Sequence, residues 1–172
     1  MQPQETKQQQ LTRLRRHLGA LYTEEQLLDI IRDVETARAQ LRTIQCPPIG
    51  TFWAEHGGEY LGIGRGAEGQ PDYHLILGKA SPKALNHADA LTHARNSNDH
   101  GFTDWVLPNH ADGGLITANA RDLVKAGYHW LETQDAGDDA FAWCQLFRNG
   151  YQTNTRKSHE FEVVLVRRVP IR

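Results

Sequence analysis

The sequence Cys46-Pro47-Pro48 marks a change of character along the chain, and this change constrains the fold most. Two consecutive prolines end a helix, because proline lacks the backbone N–H and restricts the residue before it. Glycine occurs only once before this point and the apolar pattern there is helical, whereas all four tryptophans follow it. We therefore expect N-terminal helices over residues 1–46 and a separate domain over residues 47–172.

Composition narrows the classes of partner. The formal net charge of −2 over 172 residues is far from the strongly basic balance of a nucleic-acid coat protein, so we expect no nucleic-acid partner. No apolar run approaches the roughly 20 residues that span a bilayer, so we expect no membrane insertion. The polar start of the chain has no apolar stretch typical of a signal peptide. These features are those expected of a cytoplasmic protein or of one carried in a particle.

The second N-terminal helix has the clearest local signal. Thr23 and Gln26 have the spacing of a capping box, which predicts a helix start at this point. The apolar residues that follow alternate in steps of three and four, as in a helical seam. The seam predicts either oligomerisation through a short coiled coil or packing of the helix on its own domain. Its members are Leu27, Ile30, Val34, Ala37, Leu41 and Ile44, of which all except Ala37 are the predicted oligomerisation residues.

The remainder of the chain predicts an α+β domain of short antiparallel strands, helices and long loops. Alternating and β-branched apolar residues predict the strands, and Ser81-Pro82 resembles a helix start with serine as N-cap and proline in the first turn. The predicted strands are 51–53, 60–63 and 73–77 with closing strands between 141 and 169, and the predicted helices begin at 81 and span 115–124.

Motifs of catalysis and cofactor binding are weak. Gly64–Gly69 matches a dinucleotide-binding glycine pattern, but a strand follows it where that site requires a helix. Cys46 and Cys144 are too far apart in sequence for a zinc pair, and none of the nine histidines has a partner at ligand spacing. No acid–base pair or nucleophile stands out. We expect no cofactor, no metal and no enzymatic activity.

A polar loop and a later turn are the best candidates for recognition. Aromatic residues near Asn, Gln, Thr and Asp side chains are typical of binding surfaces. We nevertheless expect two of these aromatic residues, Trp143 and Phe147, to be packed in the core. Oxygen ligands in the loop are also of the type that calcium binds, although their order departs from an EF-hand. The predicted ligand-binding residues are Glu132, Gln134, Asp135, Asp138, Asp139, Tyr151, Gln152, Asn154 and Arg156.

Several segments in order resemble the DUF1566 (Lcl C-terminal) family, particularly its phage-borne members. Gly101–Pro108, GFTDWVLP, looks like that family's G-x-x-D-W-x-L-P signature. Tyr128–Glu132 lies where the family has a Tyr-Trp-Ser-Ser segment, but Leu131 and Glu132 replace the serines. Ala142-Trp143, Asn149-Gly150 and Val166–Val169 are similar to the family's closing segments. The resemblance covers roughly residues 48–170.

The resemblance implies a C-type-lectin-like fold, related to that of formylglycine-generating enzymes. The cysteine pair those enzymes use near the C-terminus is missing, since Cys144 stands alone in that region. Our first hypothesis is a non-enzymatic phage or prophage binding protein that recognises a protein or glycan, as a receptor-binding or variable protein of a diversity-generating retroelement does. The second is an intracellular phage inhibitor of a host defence protein. The third is an enzyme of unknown chemistry.

Overall fold

The structure, a computed structural model, describes residues 6–18, 21–44 and 46–171. The chain divides into two compact units, Met1–Cys46 and Pro47–Arg172. None of the helices in the described part of the chain is long and apolar enough to cross a membrane. Both cysteines are free thiols, with Cys46 exposed and Cys144 buried.

The first unit is a pair of helices, α1 (Lys7–Leu18) and α2 (Glu24–Ile44). The capping box predicted at the start of α2 is confirmed. The Thr23 N–H donates to Gln26 Oε1 at 2.8 Å, and the Gln26 N–H donates to Thr23 Oγ1 at 3.3 Å. Leu27 and Ile31 on α2 are buried with Leu11 on α1, so an i, i+4 pair of α2 forms the contact between the helices.

Residues 47–171 form seven strands, two α-helices and one short 3-10 turn at Asp99–Gly101, and this α+β class is the one the sequence predicts. The elements in chain order are β1 (Phe52–Trp53), β2 (Gly58–Gly64), β3 (Tyr73–Ala80), α3 (His87–Asn96), α4 (His110–Asn119), β4 (Tyr128–Gln134), β5 (Phe141–Leu146), β6 (Tyr151–Arg156) and β7 (Val164–Pro170).

Two antiparallel sheets organise these elements. The first has the order β1-β2-β3-β7, so the last strand of the chain returns to pair with β3. The second has the order β4-β5-β6 and is inserted in sequence between β3 and β7. The sheets are linked where the Trp130 N–H donates to the Glu162 carbonyl and the Glu162 N–H donates to the Tyr128 carbonyl. Of the glycine-pattern residues 64–69, Gly64 ends β2 and residues 65–69 lie in the hairpin connection between antiparallel β2 and β3.

Apolar side chains fill two clusters in this unit. The motif residue Trp105 belongs to one cluster together with Trp130, and Phe147 belongs to the other with Ile116. All four side chains are almost completely buried. Phe147 is therefore a core residue, as its sequence context predicts.

Both helices of this unit differ from their predicted bounds. Ser81 does not begin a helix, because the backbone of this segment pairs with the chain before β7: the Ser81 N–H donates to the Val163 carbonyl. α3 begins at His87 instead, where the Asn86 side chain accepts from the Asp89 N–H. α4 likewise begins five residues before the predicted Leu115, because Asn109 and Asp112 form a capping box.

Candidate binding site

The segment Gly101–Pro108, GFTDWVLP, is held against the last strand, β7, by contacts with Arg167. Arg167 on β7 donates from Nε and Nη2 to the two carboxylate oxygens of Asp104, at 2.5 and 3.0 Å. The Arg167 guanidinium also lies 3.7 Å from the centre of the Phe102 ring and donates to the His56 carbonyl at 2.6 Å. The Trp105 indole N–H donates to the Asp99 carbonyl. These contacts join the GFTDWVLP segment to the end of the chain.

A second arginine, Arg168, belongs to a partly buried ionic cluster. Arg168 donates to Asp112 Oδ2 at 2.6 Å and to Glu132 Oε1 at 3.0 Å. Asp112 is fully buried, and the Tyr73 hydroxyl donates to its other oxygen at 2.6 Å. Burial and this bond raise the pKa of Tyr73 to about 12. The cluster connects β3, α4, β4 and β7, so its role is to fix these elements together.

Glu132, one of the predicted ligand-binding residues, belongs to this cluster. Three residues of β4, Leu131–Thr133, lie opposite the single residue Trp143 of β5, which makes a bulge. The bulge gives the Glu132 N–H a partner at the Pro108 carbonyl, and its carboxylate pairs with Arg168. Glu132 is therefore engaged inside the domain.

A mixed aromatic and polar surface lies on one side of β5 and β6. Phe141 is directly opposite Arg156 and Trp143 is directly opposite Asn154. Directly paired residues, and residues two apart on one strand, share a face of the sheet. Both aromatic side chains are partly exposed, while Asn154 and Arg156 are exposed. We call these four residues the β5–β6 face.

A chain of amide hydrogen bonds supports this face from the α4 side. Gln152 Nε2 donates to the His110 carbonyl at 3.1 Å and to Gln145 Oε1 at 2.8 Å. The Gln145 amide in turn donates to the Gly113 carbonyl and to the Thr117 hydroxyl. Because Gln152 Oε1 accepts, His110 Nδ1 is the donor in their 2.8 Å contact. The buried Gln145 thus fixes Gln152, a predicted ligand-binding residue, against α4.

The His110 ring meets Trp143 edge to face, with 4.9 Å between centroids. The Arg156 guanidinium lies 5.5 Å from the centre of the Phe141 ring. Both contacts hold side chains of the β5–β6 face in one arrangement, because a ring and its edge or cation partner restrict each other. A surface whose side chains are ordered before binding loses less entropy when a partner binds.

The predicted polar loop, residues 134–139, is hydrogen-bonded to Asn154 of the β5–β6 face. Asp135 Oδ2 accepts from the Asn154 side chain at 2.5 Å, and its Oδ1 accepts from the Gly137 and Asp138 N–H groups. The Asn154 bond, followed by the Gly137 bond, lowers the pKa of Asp135. These bonds keep the carboxylate ionised and close the loop as an Asx turn.

The other predicted loop residues are also bonded locally. The Gln134 amide donates to Asp139 at 2.7 Å and accepts from the Lys157 ammonium at 2.8 Å. Asp138 accepts from the Ala140 N–H. Within residues 6–18, 21–44 and 46–171, no three His, Cys, Asp or Glu side chains are grouped to hold a metal ion.

Sequence reasoning missed three contributors to this surface, namely Phe141, Trp143 and His110. We expected Trp143 in the core, but it is only partly buried. Its position could have been deduced from the Asn149-Gly150 turn, because counting outward from the turn pairs Trp143 with Asn154. His110 has no such signal, since only the docking of α4 brings it to β5. Tyr151 is 55% exposed, and its partner Leu146 belongs to the other side of the sheet.

Two buried and two partly buried histidines have lowered pKa values. Burial lowers the pKa of His129 to about 4, and burial is the main cause that lowers the pKa of His56, His74 and His87. Imidazoles of this kind are neutral at pH 7. His87 donates to the Leu131 carbonyl and His129 Nδ1 donates to the Gly127 carbonyl, so both rings serve as buried hydrogen-bond donors.

The predicted oligomerisation residues separate into two groups. Leu27 faces α1 and is 1% exposed, whereas Ile30 and Val34 are 36% and 44% exposed. The side chains of Leu41 and Ile44 lie outside the described residues. The described part of the seam therefore leaves an apolar i, i+4 pair on the surface of α2.

No protein-family model matches the chain, and no curated protein matches it.

Proposed function

We propose that this chain is a non-enzymatic binding protein of phage or prophage type, which recognises a protein or glycan partner through the β5–β6 face. The observation that carries the proposal is the pairing of two partly exposed aromatic residues with Asn154 and Arg156 on one ordered surface. Aromatic and arginine side chains dominate the energetics of recognition. Asp135 adds a carboxylate at the margin, so the surface offers both signs of charge.

The order of the sheets supports a C-type-lectin-like fold for the second unit. The three-stranded sheet β4-β5-β6 is inserted in sequence before the final strand β7, and β7 returns to pair in the first sheet. The contact between Asp104 and Arg167 supports the proposed DUF1566 relationship, since each residue belongs to a segment that carries the resemblance. A binding role is consistent with this arrangement, because the motif residues stabilise the scaffold and leave recognition to other residues.

The exposed pair on α2 supports assembly of the protein with further copies of itself. Ile30 and Val34 lie one helical turn apart, and the predicted seam continues toward the end of α2. The described core of the first unit comprises only Leu11, Leu27 and Ile31, which is small for a free-standing helical pair. A second copy would cover the exposed pair with an identical apolar stripe. Assembly would raise avidity for a repeated ligand.

A charge reversal on the β5–β6 face tests the binding role. Fluorescent full-length protein is applied to a printed array of bacterial polysaccharides and to intact cells of a panel of bacterial species. We expect the wild type to bind at least one of them, and Arg156→Glu to weaken that binding by at least tenfold. Arg148→Glu is the matched control, because Arg148 is also exposed and lies in the turn before β6.

The same experiment separates the alternatives. Binding that survives Arg156→Glu would contradict the β5–β6 face as the recognition surface. A wild type that binds neither cells nor polysaccharides would contradict a receptor-binding role. The intracellular inhibitor of a host protein would then be the preferred function, especially if the full chain is monomeric.

A further inference from the structure

In the part of the chain that the structure describes, the two sheets have four edge strands, and three of them are short or covered. β1 is only two residues long. The outer side of β4 is bonded to Glu162, which accepts from the Trp130 N–H and donates to the Tyr128 carbonyl. Val106 pairs with Val166 on the outer side of β7. Short strands and covering segments are common means of preventing an edge from pairing with another chain.

The fourth edge strand, β6, has no such protection. Within the described residues, β5 is the only strand that pairs with it. The six residues Tyr151–Arg156 follow one register with β5, without a bulge. The strand contains no proline, glycine or lysine, and its two threonines favour extended structure. A regular, unpaired strand is a template for another extended segment. An edge left open where the other three are short or covered therefore points to a partner.

The hydrogen bonds of the β5–β6 hairpin decide which backbone groups of β6 face outward. The Lys157 N–H, one residue beyond β6, donates at 2.9 Å to the Ala140 carbonyl opposite it. In an antiparallel pair of strands, hydrogen-bonded residue pairs alternate with pairs that are not bonded to each other. Gln152, Asn154 and Arg156 therefore direct their backbone N–H and C=O groups away from β5.

Most of these outward groups have no partner within residues 46–171. The Arg156 carbonyl accepts from the His159 N–H at 3.0 Å, and the Asn154 carbonyl has a 3.4 Å contact with the Thr153 hydroxyl. The three outward N–H groups and the Gln152 carbonyl are unbonded there. Outward groups recur at every second residue, roughly 7 Å apart, which is the repeat of an extended polypeptide. Such a segment offers amide donors and acceptors at the same spacing, whereas a glycan does not.

The side chains near this edge favour an acidic residue in the added segment. Residues 141–160 contain three basic side chains, Arg148, Arg156 and Lys157, against one carboxylate, Glu160. The aspartates of the loop 134–139 are already hydrogen-bonded to neighbouring groups. Arg156 contacts the Phe141 ring but forms no ion pair with a described residue. Because β6 contains no acidic residue, a second copy paired along this strand would leave Arg156 without a carboxylate.

We propose that an extended segment of a partner protein pairs with the free edge of β6 and adds a fourth strand to the sheet β4-β5-β6. Its alternate side chains lie beside the β5–β6 face, with a carboxylate opposite or diagonal to Arg156. The proposal rests on the proposed function, because it makes the partner of that face a protein and not a glycan. It adds recognition through the backbone to recognition through side chains.

A peptide library tests the pairing from the side of the partner. Linear twelve-residue random peptides displayed on yeast are selected for binding to the fluorescent full chain. The enriched peptides are synthesised, and their Kd values are measured by fluorescence polarisation. We expect enriched peptides that contain Asp or Glu and whose affinity falls at least tenfold when a backbone N–H that faces β6 is methylated. Since those N–H groups recur at every second residue, the sensitive positions should alternate with tolerant ones.

A proline in β6 tests the same pairing from the side of the protein. Asn154→Pro removes an outward N–H and no bond to β5, and proline is tolerated on the free side of an edge strand. Asn154→Ala is the matched control, because it removes the same side chain and its bond to Asp135 but keeps the N–H. We expect Asn154→Pro to bind the enriched peptides at least tenfold more weakly than Asn154→Ala does.

Amide hydrogen exchange of the wild type needs no substitution in β6. On addition of an enriched peptide, the N–H groups of Gln152 and Asn154 should exchange at least tenfold more slowly. Those of Thr153 and Thr155 face β5, so the peptide should change their exchange much less. This alternation is specific to strand pairing, because a ligand bound on the sheet face by side chains alone leaves the outward N–H groups open to water.

Four results would overturn the proposal. They are the absence of any enriched peptide, affinities without alternation along the peptide, a folded Asn154→Pro that binds as Asn154→Ala does, and slower exchange of Gln152 and Asn154 at raised protein concentration without peptide. The last result would assign the edge to a second copy of the chain.

The failure of this proposal is distinguishable from failure of the proposed function. A chain that binds bacterial cells in an Arg156-dependent manner but pairs with no peptide would keep its binding role and lose the strand pairing. Binding to purified polysaccharide alone would have the same meaning. A chain that pairs with peptides at β6 but binds neither cells nor polysaccharides would lose the receptor-binding role and keep the strand pairing.

Discussion

Arg167 and Asp104, 63 positions apart in sequence, form a bidentate ion pair between the final strand, β7, and the GFTDWVLP segment. The Arg167 side chain is 8% exposed and that of Asp104 is 57% exposed. The pair is therefore asymmetric, because the arginine depends on the aspartate for neutralisation more than the reverse. Phe102 covers the other face of the guanidinium.

Removing the aspartate should destabilise the domain. We expect Asp104→Ala to lower the free energy of unfolding by about 1–2 kcal/mol, less than for a fully buried charged bond because Asp104 is half exposed. Urea denaturation at pH 7 measures the change. The exposed Asp122→Ala is the control and should stay within about 0.5 kcal/mol of the wild type. Equal stabilities of the two variants would show that the pair contributes nothing.

Neighbouring glycines in α4 should respond in opposite directions to alanine. A Cβ on Gly113 would overlap the Gln145 amide, whereas a Cβ on Gly114 meets nothing within 4 Å. We expect Gly114→Ala to raise the free energy of unfolding by about 0.5–1 kcal/mol through helix propensity. Gly113→Ala should lower it by about 1–3 kcal/mol, because it displaces a buried amide from its partners. Thermal or urea unfolding of the two variants measures these changes. If both variants changed the free energy of unfolding in the same direction, the packing of Gln145 against Gly113 would be contradicted.

His129 should make the protein acid-sensitive. Its pKa falls from 6.5 to about 4 on folding, because the ring is buried. Between these values the unfolded chain binds a proton that the folded chain does not, so the free energy of unfolding decreases as pH falls from 6.5 to 4. The contribution of this residue is fully present above pH 6.5 and amounts to about 3 kcal/mol at most.

Urea denaturation between pH 4.5 and 7.5 checks the role of His129. His129→Gln should flatten the pH dependence, even if it lowers stability at every pH. The exposed His159→Gln should keep the wild-type slope. A slope that is equally steep in His129→Gln would assign the acid sensitivity to other groups, such as His87, whose pKa is also lowered by burial.

Assembly through α2 should depend on the seam and not on apolar exposure alone. Val34 and Leu28 have nearly equal exposure, 44% and 46%, but six residues separate them, which places them on different faces of the helix. We expect the full chain to have a mass that is a multiple of 19.5 kDa by light scattering. Val34→Glu should reduce it to that of the monomer, and Leu28→Glu should not.

A monomeric wild type would remove the argument for avidity. In that case Ile30 and Val34 would not be an assembly surface, and the intracellular inhibitor would become the better explanation of the chain. A mass reduced equally by Leu28→Glu would show that assembly uses a different face of α2.

Local signals predicted several elements correctly. The capping box of Thr23 and Gln26 predicted the start of α2, since capping involves residues three apart. Short apolar runs that contain β-forming residues predicted β2 and β3, although both strands are longer than expected. Ser81-Pro82 failed as a helix signal, because a long-range pairing with Val163 competes for the same backbone. A local preference of this kind is outweighed when tertiary hydrogen bonds are available.

The candidate surface was predicted only in part. Gln152, Asn154 and Arg156 were selected because they follow a turn, and the last two lie on the β5–β6 face. Glu132 was selected by the same polarity, but a bulge in β4 directs it to Arg168. Composition cannot distinguish an acidic side chain that meets solvent from one that pairs with an arginine inside the domain.

The sequence by itself determined the division at Cys46, the helical character of residues before it and the α+β class after it, because these depend on proline geometry and on the spacing of apolar residues. Only the tertiary structure decided which polar residues are exposed. It paired Arg167 with Asp104, brought His110 to Trp143 and directed Glu132 to Arg168. Contacts between residues far apart in sequence follow from the packing of whole elements, and no local pattern encodes them.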